Sequence, residues 1–508
     1  MRSTLNKRKS GAIASYAYTI CQMIVGLVYV PLLLGGIGRA EYGLYQFIGS
    51  IIAYITIVNT TLGSGITRFY CKYLAEGDED GMANTLAIAT KAIRWVSIGS
   101  IIVGIACMGI VRVVYAESFT LWELDESCIL LGILVLNLIV TMSNTVSASV
   151  ITAHEEFTFL KLTQLAVIVM QPLVIVLVIQ WFPYALSVCI VQLALNVCLR
   201  MIQHGFAKKR LNMDTRLRFV DEQLQRDLIR FSGGIILGVV ADEIFWRTDQ
   251  LILGYYYGTE TVAVYAVGAQ ICLTYMPLGQ AVASVFMPKI SRIMELPDRL
   301  RELSTLFARV ARLSAYPLLL VLTGFIIFGQ DFIRLWAGDG FEEAYWVAVI
   351  IMVPFTVDIM QSIGIVILQV MDRYAFRGKM YLVAAIANVA VTIVLAREFG
   401  CIGAAAATGI TLFVVSDILV NFYYARACGL DMVYFWRKVA RMMAPIIPLC
   451  CVGVFAWSGL SSTLEIGWPA LLAGIACYTL LFVAFALVAC CDSYERDLAR
   501  GALRFLGR

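Results

Sequence analysis

Residues 129–151 read ILLGILVLNLIVTMSNTVSASVI, 23 consecutive positions without an acidic or basic side chain. At about 1.5 Å of rise per residue a helix of this length reaches about 35 Å, enough to cross a hydrocarbon layer of about 30 Å. Working outward, comparable apolar runs occupy 12–34, 44–63, 95–111, 162–179 and 183–199 in the first half of the chain. After a basic connection come 231–253, 262–287, 313–329, 344–370, 380–396, 402–424, 442–460 and 466–490. The pattern predicts an all-α polytopic membrane protein with about 14 transmembrane helices.

Composition agrees. Of 508 residues, 60% are hydrophobic and only 15% charged, against roughly 25% charged in a soluble domain. A water-soluble fold would have nowhere to put that apolar surface. The formal net charge of +4 is too small to argue for nucleic acid. Lys7, Arg8 and Lys9 precede an apolar run longer than a signal-peptide core, so 12–34 reads as a retained first span. Most of the 14 cysteines lie inside apolar runs and none has C-x-x-C spacing, so they read as small buried residues. The two histidines, His154 and His204, fall far apart in expected polar connections. No metal or cofactor is expected, and no phosphate loop or triad spacing supports a soluble enzyme.

The distribution of charge fixes the expected topology. With the N-terminus inside, 34 of the 39 Lys and Arg residues fall on connections of that side. Four (Arg39, Arg112, Arg334 and Arg397) fall on the other, and Arg247 lies within a span. A missing span would invert every later loop and destroy this asymmetry. Both termini are therefore expected in the cytoplasm, and the chain in the cytoplasmic (inner) membrane. The longest outer connections, about 112–128 and 330–343, are too short for a catalytic or receptor domain. The longest inner one, about 200–230, is expected to carry an amphipathic surface helix whose basic strip lies on anionic head groups.

The chain also repeats. Leu34-Gly35 followed by Glu41 and Tyr45 has a counterpart in Leu253-Gly254 followed by Glu260 and Tyr265; Ala153, Glu155, Phe157 and Phe159 have one in Val370, Asp372, Tyr374 and Phe376. The displacements, 219 and 217 residues, equal six spans plus a linker. Six being even, the halves are expected to run parallel about an axis along the membrane normal, with substrate between them near the midplane. The expected organisation is a six-helix bundle over 1–205, a basic linker over 206–230, a second six-helix bundle over 231–427, and two further spans with a cytoplasmic tail over 428–508.

Ionisable groups inside a membrane usually face a cavity or a partner. The seventh run holds Asp242, Glu243, Arg247 and Asp249. Glu243 and Arg247 are spaced to pair along one helix face, and the set either neutralises itself or lines a path. Arg247, a cation suited to a phosphate or acidic sugar, is the leading substrate-binding residue. Arg68 at the inner end of the second span either joins it or snorkels to the interface. Asp358 and Asp417, isolated in apolar runs, are expected to hold a proton or sodium ion, cap a helix break or pair with a base elsewhere. Gln270, like Asn59 and Gln361, offers hydrogen bonds to sugar hydroxyls or glue between helices. Pro31, Pro277, Pro317 and Pro354 are placed to bend spans.

Several motifs then resemble one family. Tyr42 to Tyr45, Leu62-Gly63 followed by Arg68-Phe69-Tyr70, Thr248 to Gly254 leading to Val264-Tyr265-Ala266, and Met287 to Ser291 resemble, in order and spacing, the Wzx-type polysaccharide flippases of the multidrug/oligosaccharidyl-lipid/polysaccharide exporter superfamily. The resemblance covers most of the chain. It implies two six-helix bundles forming a V around a cavity, as in multidrug and toxin extrusion (MATE) proteins, with two extra C-terminal helices. It also implies export of an undecaprenyl-diphosphate-linked oligosaccharide for O-antigen or another surface polysaccharide, in antiport with a proton or sodium ion. Membrane lipids and other polysaccharide-assembly proteins are the further partners implied. The alternatives are a drug/cation antiporter or lipid II flippase of the same superfamily and, from another class, a membrane polysaccharide polymerase or ligase, which generally presents a long outer catalytic loop.

Overall fold

The computed structural model describes residues 2–219, 221–278, 286–371, 373–492 and 495–496, and every regular element among them is helical. Helices α1 (Arg2–Ile37), α2 (Arg39–Glu76), α3 (Glu79–Val114), α4 (Leu121–Ala153), α5 (Phe157–Ile179), α6 (Ala185–Arg210) and α7 (Glu222–Tyr257) lead into α8 (Thr259–Tyr275). After α9 (Met287–Ile293) come α10 (Arg299–Ala337), α11 (Glu342–Met360), α12 (Ser362–Val370) and α13 (Tyr374–Leu412). A π-helical stretch, Phe413–Leu419, precedes α14 (Val420–Arg426), α15 (Met432–Met443), α16 (Ile446–Ser461) and α17 (Trp468–Phe485), which runs into a second one, Ala486–Cys490. Asp372 of the second repeat pair and the tail over 497–508 lie outside the described residues.

Eleven described helical stretches are long and apolar enough to cross a membrane. One of them, Phe376–Arg426, holds two of the expected spans and reverses at Gly400, whose φ of 56° is open to glycine. Asn388 and Thr411 meet across the hairpin, the threonine hydroxyl donating to Asn388 Oδ1 at 3.2 Å. The seventh expected span, within α7, contains four ionisable groups; the eighth, from α8 on, passes into residues 279–285, outside the description. The tenth divides into α11 and α12 at Gln361 rather than at Pro354, which sits inside α11. About fourteen spans remain the consistent reading of length and polarity.

Local chemistry sets the helix ends. Thr120 and Glu123 form a reciprocal capping box on α4, and Asp78 and Asp221 accept from Gly81 and Leu224 N–H to start α3 and α7. The first repeat pair is visible as one turn used twice. α1 passes into α2 through Gly38 (φ 84°), and α7 passes into α8 through Gly258 (φ 80°), left-handed geometry that favours glycine.

The connection around 200–230 departs from expectation. Among the described residues no separate surface helix forms; α6 extends to Arg210, where Lys208, Lys209 and Arg210 complement its C-terminal dipole. Asn212, with φ of 50°, stops it. His204 accordingly lies within α6, not in a connection. The amphipathic helix is instead α15, which buries Met432, Phe435, Val439 and Met442.

The chain forms two compact units, Met1–Ala266 and Val267–Arg508. The division falls later than the linker at 206–230, because α7 packs along α2 in the first unit. There α4 packs against α2, α3 and α6, and α5 against α1. In the second unit α10 packs against α11, α15, α16 and α17, and α13 against α11.

Candidate functional site

The first unit carries a polar track between α2 and α4. Along α2, Tyr45, Gly49, Ile52, Thr56, Asn59, Gly63 and Thr67 recur at three- and four-residue spacing, which puts them on one helix face. Opposite, α4 contributes Asn137, Thr141, Asn144, Thr145, Ser149 and Thr152. Two chambers open along this seam, of about 390 Å³ and about 770 Å³, and Thr141 belongs to both. The smaller is bounded by Glu243 and Arg247 of α7, the larger by Arg68 and Gln164.

Hydrogen bonds hold the walls. Thr145 Oγ1 donates to Asn59 Oδ1 at 3.0 Å and Ser149 Oγ to the Gly63 carbonyl at 3.4 Å, joining α4 to α2. Asn144 Nδ2 donates to Gln203 Oε1 at 2.8 Å, Gln203 Nε2 to Thr163 Oγ1 at 2.9 Å, and Asn196 Nδ2 to Asn137 Oδ1 at 2.8 Å. On the α7 side Tyr54 and Thr248 hydroxyls meet at 2.6 Å, and Ser50 donates to Gln250 Oε1. Two buried amide oxygens on the chamber walls, Gln192 Oε1 and Asn144 Oδ1, have no partner. Such acceptors are costly to bury unless a ligand or solvent supplies a donor.

The expected site residues divide. Arg247 and Glu243 form a 3.6 Å ion pair along α7, with side chains 31% and 28% exposed, and both line the smaller chamber. Arg68 lines the larger one together with Asn59. Asp249 is 1% exposed and accepts the Tyr265 hydroxyl, so it anchors α8 to α7 away from the track. Asp242 lies on an exposed face of α7 and lines neither chamber. Gln270 lies in α8 and lines neither chamber; its carbonyl accepts Thr274 Oγ1 at 2.9 Å.

Asp358 and Asp417 come together in the second unit with three side chains the sequence left unmarked. Tyr381 donates to Asp358 Oδ1 at 2.7 Å and shares a 2.8 Å hydrogen bond with Ser416. Arg377 lies 3.5 Å from the same carboxylate and 3.0 Å from the Tyr381 hydroxyl. Asp417 Oδ1, on the π-helical stretch, is buried without a partner, as is Gln361 Oε1. The i,i+4 spacing of Arg377 and Tyr381 was the available signal, but Arg377 counts among loop cations when only charge per connection is considered. Asn144, Gln192 and Gln203 were missed because an amide inside an apolar run reads equally well as interhelical glue.

Multi-pass helical topology with a hollow, polar-lined seam defines a membrane transporter fold. The solved structures agree: a lipid II flippase MurJ in an inward closed conformation matches with a TM-score of 0.72 and 13% identity, covering 96% of this chain and 99% of that one. An inward-facing MATE-family multidrug resistance transporter of the MOP superfamily matches with 0.59 and 12%, covering 82% and 97%. At such identities the likeness is one of fold. Residues 37–346 match the family model described as polysaccharide biosynthesis protein, and the chain belongs to that family. A curated relative, the probable low-salt glycan biosynthesis flippase Agl15 of Haloferax volcanii, is 21% identical over 212 residues, 41% of this chain and 44% of the relative. That match spans less than half of the relative's length.

Proposed function

We propose that this protein is a flippase that moves an undecaprenyl-diphosphate-linked oligosaccharide across the cytoplasmic membrane for surface polysaccharide assembly, by alternating access and without covalent chemistry. The observation that carries this reading is the track itself: hydroxyls and amides with two unpartnered amide oxygens, flanked by Arg247 and Arg68. Sugar hydroxyls both donate and accept, so a glycan fits such walls, and an arginine matches the charge and planar geometry of a diphosphate. A drug-export site would favour apolar and aromatic walls. Asp242, Asp249 and Gln270, which line neither chamber, are assigned no contact with the substrate, and Asp249 supports α7 through Tyr265.

The same reading takes both termini as cytoplasmic and Asp417, beside Asp358, Arg377 and Tyr381, as the group that binds the coupling proton or sodium ion. It keeps the two six-helix halves and the two added C-terminal spans as the functional divisions. The test is made in cells that depend on the chain for their surface glycan. Arg247→Ala and Arg68→Ala are expected to abolish display and build up the lipid-linked precursor on the inner leaflet, with the protein still in the membrane. Normal display by both variants would remove the track as the substrate path.

A further inference from the structure

A third cavity, of about 580 Å³, lies elsewhere on the first unit, between α3 and the segment that precedes α7. Thr90, Lys91, Arg94 and Trp95 of α3 form one wall, and Thr215 and Leu217 form the other. We propose that it is a binding site for an anionic phospholipid, its phosphate held by Lys91 and Arg94 with the Thr90 and Thr215 hydroxyls, and an acyl chain lying along α3. This goes beyond the translocated substrate, since the cavity shares no residue with the polar track.

Three observations support it. First, Lys91 and Arg94 are exposed one helical turn apart and neither forms an ion pair among the described residues, while Asp221, the carboxylate on the cavity, is engaged as the cap of α7 through Leu224 N–H at 2.8 Å. A phosphate is the complement they lack. Second, the wall opposite is built rather than loose. Buried Asn84 accepts from the Arg218 and Phe219 N–H groups at 2.8 and 3.3 Å and donates to the Phe219 carbonyl at 3.1 Å. Arg218 also approaches Asp80 at 3.6 Å.

Third, α3 carries beside the cavity the side chains that mark a boundary between head group and hydrocarbon. Trp95, 66% exposed, is the first of an exposed apolar stripe on α3 that continues through Ile98, Ile102 and Ile105. Tryptophan marks that boundary in membrane proteins, and the stripe is what an acyl chain would lie against. Free phosphate would use the cations and leave the stripe without a role, so the observations favour a lipid. The site also lies on the face where Lys and Arg are concentrated, the side on which anionic lipids attract such residues.

The test uses the full-length chain in mixed micelles, with brominated phosphatidylglycerol or brominated phosphatidylcholine as quencher of the fluorescence that Trp95→Phe removes. Phosphatidylglycerol is expected to associate about 25-fold more strongly than phosphatidylcholine at low salt, given roughly fivefold for each of the two cations near the surface. Lys91→Gln with Arg94→Gln should bring the ratio to about one, and the charge-conserving pair Lys91→Arg with Arg94→Lys should keep it. A ratio near one for the wild-type chain, or one that the neutral pair leaves unchanged, would overturn the proposal. So would displacement of brominated phosphatidylglycerol by inorganic phosphate at matched ionic strength.

Discussion

Arg312 and Glu495, 183 residues apart, are joined by two hydrogen bonds of 2.7 Å, from Arg312 Nε to Oε1 and from a terminal guanidinium nitrogen to Oε2. Their side chains are 5% and 4% exposed. The same guanidinium donates to the Lys438 carbonyl at 2.9 Å and the Cys490 carbonyl at 3.0 Å, and Tyr316 adds a hydrogen bond to Glu495 at 2.9 Å. One arginine of α10 thus ties down α15, the end of the last span and the residue beyond it.

Removing one partner of such a buried pair strands the other charge. Arg312→Ala and Glu495→Gln are each expected to lower stability by about 3 kcal/mol, read as a fall in melting temperature of the purified protein. An unchanged melting temperature in both variants would show that the C-terminal segment is not held by this contact.

The pair also sets a pH dependence. Burial alone would push the Glu495 carboxyl up, but the Arg312 hydrogen bonds, that of the Asp492 backbone, the Arg312 charge and the Tyr316 hydroxyl outweigh it and hold it below its ordinary value. A carboxylate depressed in the folded state contributes stability above its unfolded pKa of about 4.3 and loses it as pH falls through the lower folded value. The melting difference between wild type and Glu495→Gln should therefore be constant from about pH 5 to 8 and shrink only on stronger acidification.

Gln192 separates binding from packing. Its Oε1 is a buried acceptor without a partner on the wall of the smaller chamber, so Gln192→Leu should leave stability unchanged or raise it by up to about 1 kcal/mol. Glycan display should nevertheless fall. A variant that loses stability and keeps display would make Gln192 a structural residue.

The two aspartates of the second unit should respond differently. Asp358→Asn leaves Arg377, 14% exposed, without its countercharge and should cost about 3 kcal/mol or more. Asp417, whose Oδ1 is unpartnered, should tolerate Asn with little loss of stability while transport stops responding to the cation gradient. Equal stability losses, with coupling intact in Asp417→Asn, would contradict the assignment.

Gly43 tests the close approach of α2 and α8. A Cβ there would stand 1.8 Å from the Thr259 carbonyl oxygen, a backbone atom. Gly43→Ala should cost at least about 2 kcal/mol and reduce the amount of folded protein in the membrane; wild-type yield and melting behaviour would show that the helix ends separate readily.

The sequence by itself determined that this chain is a bundle of membrane helices, where most of them lie, and that one turn recurs between α1 and α2 and between α7 and α8. Those features depend on local quantities, namely the length of apolar runs, capping residues and glycines with positive φ. It also marked Arg247, Glu243 and Arg68, because a charge in hydrocarbon stands out against its neighbours.

Only the tertiary structure decided that Asp249 anchors α8, that Asp358 meets Arg377 and Tyr381, and that Asn144 and Gln192 leave acceptors open on a chamber wall. Those outcomes depend on which helix faces which, and that is set by side-chain packing between segments far apart in the chain. Hydropathy along the chain is blind to it, because a lipid-facing and a helix-facing position look equally apolar in sequence.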